Sequence, residues 1–138
     1  MMKLKGFVIG LCAAAMLAGC ATDSSREREA LGALDVQNLV AGNTLSGATI
    51  KRAQFAIYFR QDGTATGELS EVRTNGDWEV NANGELCTRF PAWDQSAWAG
   101  GNTLCHAFYR AGSNYALYDG GQLAGTVLAV SEGNPRGY

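Results

Sequence analysis

The chain has 138 residues, 46% of them hydrophobic and 17% charged, with 18 Gly, 4 Cys, one His and a formal net charge of −2. That length suits a single domain of the usual roughly 100–200 residues, and the apolar share is too high for a chain disordered throughout. A single His excludes a His-rich metal centre, and near-neutral charge without a basic patch excludes nucleic acid as a partner.

In chain order, Met1 to Gly19 reads as an export signal: Lys3 and Lys5 lead, and Gly6 to Gly19 is apolar, uncharged and ends in small residues. The apolar run is shorter than the about 20 residues that span a bilayer as a helix. Leu17-Ala18-Gly19-Cys20 has the form of a bacterial lipobox, in which the Cys20 thiol takes the lipid and the signal is cut ahead of it. An ordinary signal followed by a chance Cys is the alternative. Cleavage there leaves 119 residues with 9 basic and 13 acidic side chains, a net −4. Acyl chains then provide the membrane attachment, and two chains make it stable. Ala21 follows the cysteine, rather than the Asp that commonly retains bacterial lipoproteins in the inner membrane, so the expected location is the periplasmic side of the outer membrane.

Ala21 to Leu34 is polar at first and reads as a tether. Asp35 is then expected as the N-cap of a short helix that carries Leu39 and Val40 and stops at Gly42. We place the domains at 1–19 (signal), 20–41 (lipidated tether and helix) and 42–138 (barrel).

Beyond Gly42 the apolar period becomes two, broken by turns. Strands are expected at about Asn43–Ala48, Phe55–Arg60, Thr64–Leu69, Glu71–Arg73 (either separate from or continuous with the strand of Trp78 and Val80), Glu85–Phe90, Thr103–Arg110, Asn114–Tyr118 and Leu123–Val130. Asp62-Gly63, Asn81 to Gly84, Ala111-Gly112-Ser113 and Asp119-Gly120-Gly121 are hairpin turns. About eight short strands joined in sequence predict an all-β fold, an antiparallel up-and-down barrel after a short N-terminal helix. Gly42-Asn43-Thr44-Leu45 recurs as Gly101-Asn102-Thr103-Leu104, through either two similar halves or convergence of turn sequences; convergence is slightly favoured.

Cys12 leaves with the signal and Cys20 takes lipid, so in an oxidising compartment Cys87 and Cys105 are expected to form a disulfide. Free thiols or half a metal site compete with this, but a zinc site lacks ligands. If the cysteines oppose each other on adjacent strands, Leu86 faces His106, Thr88 faces Leu104 and Phe90 faces Asn102. The cysteines then lie outside and His106 points inward. There His106 is either a polar anchor for a ligand or a core histidine bonded to Thr88 or a Tyr hydroxyl. The loop Arg89 to Gly101 carries Trp93, Asp94 and Trp98; its indoles either form a binding surface or fold back to plug one barrel mouth. A Ser96–His106–Asp94 triad lacks oxyanion donors and a fixed nucleophile, and no phosphate-binding loop is present. We therefore expect no enzyme activity, cofactor or metal.

The segments Phe55 to Gly67, Gly76-Asp77-Trp78, Gly84 to Cys87 and Cys105 to Arg110 together resemble a family of small exported bacterial proteins of unknown function, over roughly Gly42 to Gly125. That resemblance implies a small β-barrel with the same disulfide but does not point to any activity. The Gly-x-Trp is similar to that of lipocalins, where it lies on the first strand rather than mid-chain. A lipid-anchored barrel of this size also resembles bacterial inhibitors of secreted proteases or lysozyme. Expected partners are the membrane, through the acyl chains, and either a small apolar ligand or an envelope protein. The leading expectation is a non-enzymatic binding module. A structural or hydrolase-inhibitor-like lipoprotein with a filled barrel is the alternative.

Overall fold

A computed structural model describes residues 29–91, 93 and 102–138. The export signal, Cys20, most of the tether, Asp94, Ser96 and Trp98 lie outside the described residues. One short helix, α1 (Ala33–Val40), precedes eight strands: β1 (Asn43–Thr49), β2 (Gln54–Phe59), β3 (Thr64–Leu69), β4 (Val72–Val80), β5 (Leu86–Arg89), β6 (Leu104–Ala111), β7 (Asn114–Asp119) and β8 (Gln122–Glu132). Each strand pairs with the next and β8 returns to β1, closing an antiparallel barrel. Closure matters because an open eight-stranded sheet would present two unpaired edges. The two segments expected around Arg73 and Trp78 are one strand, β4.

Alternation sets the inside. On β2, Phe55, Ile57 and Phe59 face inward, opposite Gly47 and Leu45 of β1 and opposite Leu69, Gly67 and Ala65 of β3. Leu86 and Thr88 of β5, His106 and Phe108 of β6, Leu117 of β7 and Val127 of β8 complete the lining. Two glycines make the room for aromatic filling. The Trp93 indole lies over Gly67, where an added Cβ would sit 2.6 Å from its Cη2, and the Phe90 ring lies over Gly76, 2.5 Å from the corresponding position. The barrel is therefore packed by rings crossing from the β5–β6 connection toward β3 and β4.

The register around the cysteines is Leu86–His106, Cys87–Cys105 and Thr88–Leu104, with the disulfide formed at a Cα–Cα separation of 4.0 Å. Regular pairing stops there, so Phe90 and Asn102 do not extend the ladder. Because β5 covers only Leu104 to His106 of β6, the rest of that edge is open to another partner. The N-terminal arm takes it: Ala30 bridges to Tyr109, and the Leu31 N–H donates to the Phe108 carbonyl at 2.8 Å.

The arm leads into α1 at the barrel end where β1, β3, β5 and β7 begin. Val36 and Val40 are completely buried there, and the helix stops as Gly42 takes a left-handed φ of 76° that a side chain would resist. The N-cap is Gly32, with an extended backbone and no side-chain bond, and Asp35 instead sits in the first helical turn. Starting the helix earlier lets Val36 and Val40, one turn apart, both face the barrel, while the Asp35 carboxylate still favours the positive helix start. The same end is tied by the Trp78 Nε1–H, which donates to the carbonyls of Arg60 (2.8 Å) and Thr64 (3.0 Å) across the β2–β3 turn.

The repeated Asn-Thr-Leu opens β1 in one copy and precedes or opens β6 in the other, strands of opposite direction separated by an odd number of steps. Two matching four-stranded halves would place the copies on β1 and β5, so the echo belongs to turn chemistry.

Candidate binding site

At the end opposite α1, β6 places His106 inward two residues below its start, beside Phe55 of β2 and Leu117 of β7. The imidazole is buried at 7% exposure and neither it nor Thr88 is without a partner. Burial pushes its pKa below the ordinary 6.5, and the carboxylates of Asp119 and Glu85 oppose that shift less strongly. It is accordingly neutral near pH 7, able to donate from one ring nitrogen and accept at the other.

Two spaces meet at His106. Below it, a small void of about 20 Å³ lies among Leu45, Phe55, Ile57, Phe59 and Phe108, room for about one water molecule. Above it, a cleft of about 190 Å³ opens at the mouth. Phe55, Leu117 and Thr49 wall it, and Ile50, Lys51, Asp119, Gln122 and Leu123 form the rim. Ile50 and Leu123 are 59% and 44% exposed, large apolar side chains placed in water at the edge of an opening.

The rim rests on two tight turns. In the first, the Arg52 N–H donates to the Thr49 carbonyl at 2.9 Å, the Thr49 Oγ1 accepts from the Ala53 N–H, and the Ile50 N–H reaches across to the Ala124 carbonyl. In the second, Asp119 and Gln122 pair across Gly120-Gly121, both with left-handed φ. These hydrogen bonds set the two turns that carry Lys51 and Asp119, both of which line the cleft, with the start of β8 between the turns in the strand order.

Of the other residues singled out in the sequence, Trp93 lies inside the barrel at 3% exposure. Its Nε1–H donates to the Val72 carbonyl at 3.0 Å, and its ring stacks on Phe90 with centroids 4.2 Å apart. It fills the interior beside β3 and β4 and is not among the residues that line the cleft. The sequence brought out His106 but not Thr49, Ile50, Lys51, Asp119, Gln122 or Leu123. The available clue was a large apolar residue beside each of two turns, Ile50 next to Lys51-Arg52 and Leu123 after Gly120-Gly121.

Chemically, the cleft offers apolar walls, a neutral imidazole at its floor and one charge of each sign at its rim. Among the described residues, no three of His, Cys, Asp or Glu are grouped so as to hold a metal ion. No family model matches this chain, and no curated protein matches it.

Proposed function

We propose that this chain is a bacterial envelope lipoprotein, anchored through acyl chains on Cys20 at the periplasmic side of the outer membrane, and that its barrel is a non-enzymatic binding module for a small apolar group. The charged start, apolar run and Leu17-Ala18-Gly19-Cys20 of the N-terminal segment support the envelope assignment. The observation that carries the binding reading is the contrast between the void of about 20 Å³ beneath His106, closed in by aromatic and aliphatic side chains, and the open cleft of about 190 Å³ above it, with Ile50 and Leu123 exposed at its rim. An apolar cavity of about 150 Å³ takes up benzene, whereas drug-sized ligands occupy about 300–1,000 Å³. The group bound is thus about the size of one amino-acid side chain, free or carried by an envelope protein, and it sits at the mouth instead of deep in the barrel.

The filled barrel also supports the second reading, an inhibitor-like or structural lipoprotein, because Phe90 and Trp93 occupy the space that a transport barrel leaves for cargo. Two experiments test the leading reading. In a Gram-negative host the mature chain partitions with outer membranes and Cys20→Ala releases it; membrane retention of that variant refutes the anchor. In the detergent-solubilised mature lipoprotein, isoamyl alcohol shifts the NMR signals of His106 and Leu117, and Ile50→Ser with Leu123→Ser weakens this. No shift in the wild type refutes the apolar mouth.

A further inference from the structure

We infer that the mouth recognises an apolar α-amino acid as a zwitterion, with Lys51 taking its carboxylate, Asp119 its ammonium group and the cleft its side chain. This rests on the proposed binding reading and adds the ligand's polar end. Lys51 and Asp119 both line the cleft, and no ion pair between them is present among the described residues. They lie on separate hydrogen-bonded turns on either side of the first residues of β8.

That arrangement discriminates by charge. A simple carboxylate attracted by Lys51 is repelled by Asp119, and a simple amine meets the reverse conflict. A neutral apolar molecule gains from neither. A molecule carrying both charges on one carbon, with an apolar branch directed downward, satisfies both flanks while Ile50, Leu123, Phe55 and Leu117 exclude water from the branch. The neutral His106 at the floor adds no charge that would prefer one end of the zwitterion. The cleft volume of about 190 Å³ fits a branch of leucine or phenylalanine size.

The test titrates the full mature lipoprotein in detergent micelles by NMR at about pH 6.5, where an α-amino group is charged. The probes are leucine, leucinamide, N-acetylleucine and isoamyl alcohol. Leucine is expected to bind tightest, with loss of either charge weakening binding about two- to fivefold, the range for solvent-exposed ion pairs. Lys51→Ala should weaken leucine and N-acetylleucine and leave leucinamide unchanged or tighter. Asp119→Asn should weaken leucine and leucinamide and spare N-acetylleucine. Equal binding of isoamyl alcohol and leucine, or loss of all four probes in parallel in either variant, overturns the zwitterion assignment while leaving the apolar mouth intact. Absence of any shift at His106 or Leu117 with every probe overturns both.

Discussion

Gly67 and Trp93 provide a sharp test of how this barrel is filled. A methyl group at position 67 would stand 2.6 Å from Trp93 Cη2, 3.1 Å from Trp93 Cζ2 and 3.1 Å from Ile57 Cγ1. The indole cannot swing aside freely, because its Nε1–H is held by the Val72 carbonyl and its face lies against Phe90. Gly67→Ala is therefore an overpacking change expected to cost about 1–3 kcal/mol. Trp93→Ala removes a buried aromatic and should cost about 3–5 kcal/mol. In the Trp93→Ala background the indole is gone and only Ile57 Cγ1 remains close, at 3.1 Å, so Gly67→Ala should be near neutral, the lower backbone entropy of the unfolded chain offsetting that contact. The two changes should thus couple by at least about 1 kcal/mol in a double-mutant cycle. Urea unfolding followed by far-ultraviolet circular dichroism measures all four stabilities, with the slope checked for constancy. The packing account fails if Gly67→Ala costs the same in both backgrounds, or if Trp93→Ala alone costs less than about 1 kcal/mol.

Replacing Cys87 and Cys105 together by Ser should lower stability by about 3 kcal/mol, since the bond closes a loop of 18 residues' separation; a loss under about 1 kcal/mol in the same urea assay removes it as the staple of the short β5–β6 seam. Gly76→Ala should be more damaging than Gly67→Ala, because the new methyl meets the Arg89 backbone carbonyl as well as the Phe90 ring, and backbone moves less readily than an indole; equal midpoints for the two variants contradict this. His106 makes stability depend on pH with a defined sign. Its native pKa is lowered, so the unfolded chain binds the proton more readily. The stability it contributes is full above 6.5 and is lost as pH falls through that value toward the native one. His106→Leu should flatten that slope, and an unchanged profile between about pH 7 and pH 5 refutes the burial argument. Trp78→Phe should cost about 1–3 kcal/mol by leaving the Arg60 and Thr64 carbonyls without their indole donor; thermal unfolding checks it, and an unchanged midpoint speaks against the tie.

Residue by residue, the sequence determined the barrel because each strand states its own alternation and each hairpin its own turn. Phe55-Ala-Ile-Tyr-Phe59 carries its large apolar side chains Phe55, Ile57 and Phe59 on one face, and Asp62-Gly63 or Asp119-Gly120-Gly121 can join only antiparallel neighbours over so short a span. One covalent constraint extended that local information: opposing Cys87 and Cys105 set the β5–β6 register and hence the inward direction of His106. The helix start was misplaced by three residues because capping propensity favours Asp35, whereas burial of Val36 and Val40 decides the position.

Only the tertiary structure decided what occupies the barrel and where it opens. Whether the indole of Trp93 faces solvent or the interior depends on space left by Gly67, a residue on a different strand. The mouth is likewise assembled from the β1–β2 turn, the β7–β8 turn and the floor residues Phe55, His106 and Leu117. No window of sequence contains those groups together, because closure of β8 onto β1 is what brings Lys51 and Asp119 to one opening. Alternation fixes which side of a strand a residue occupies; the volumes of the residues facing it across the barrel fix whether space remains beside it.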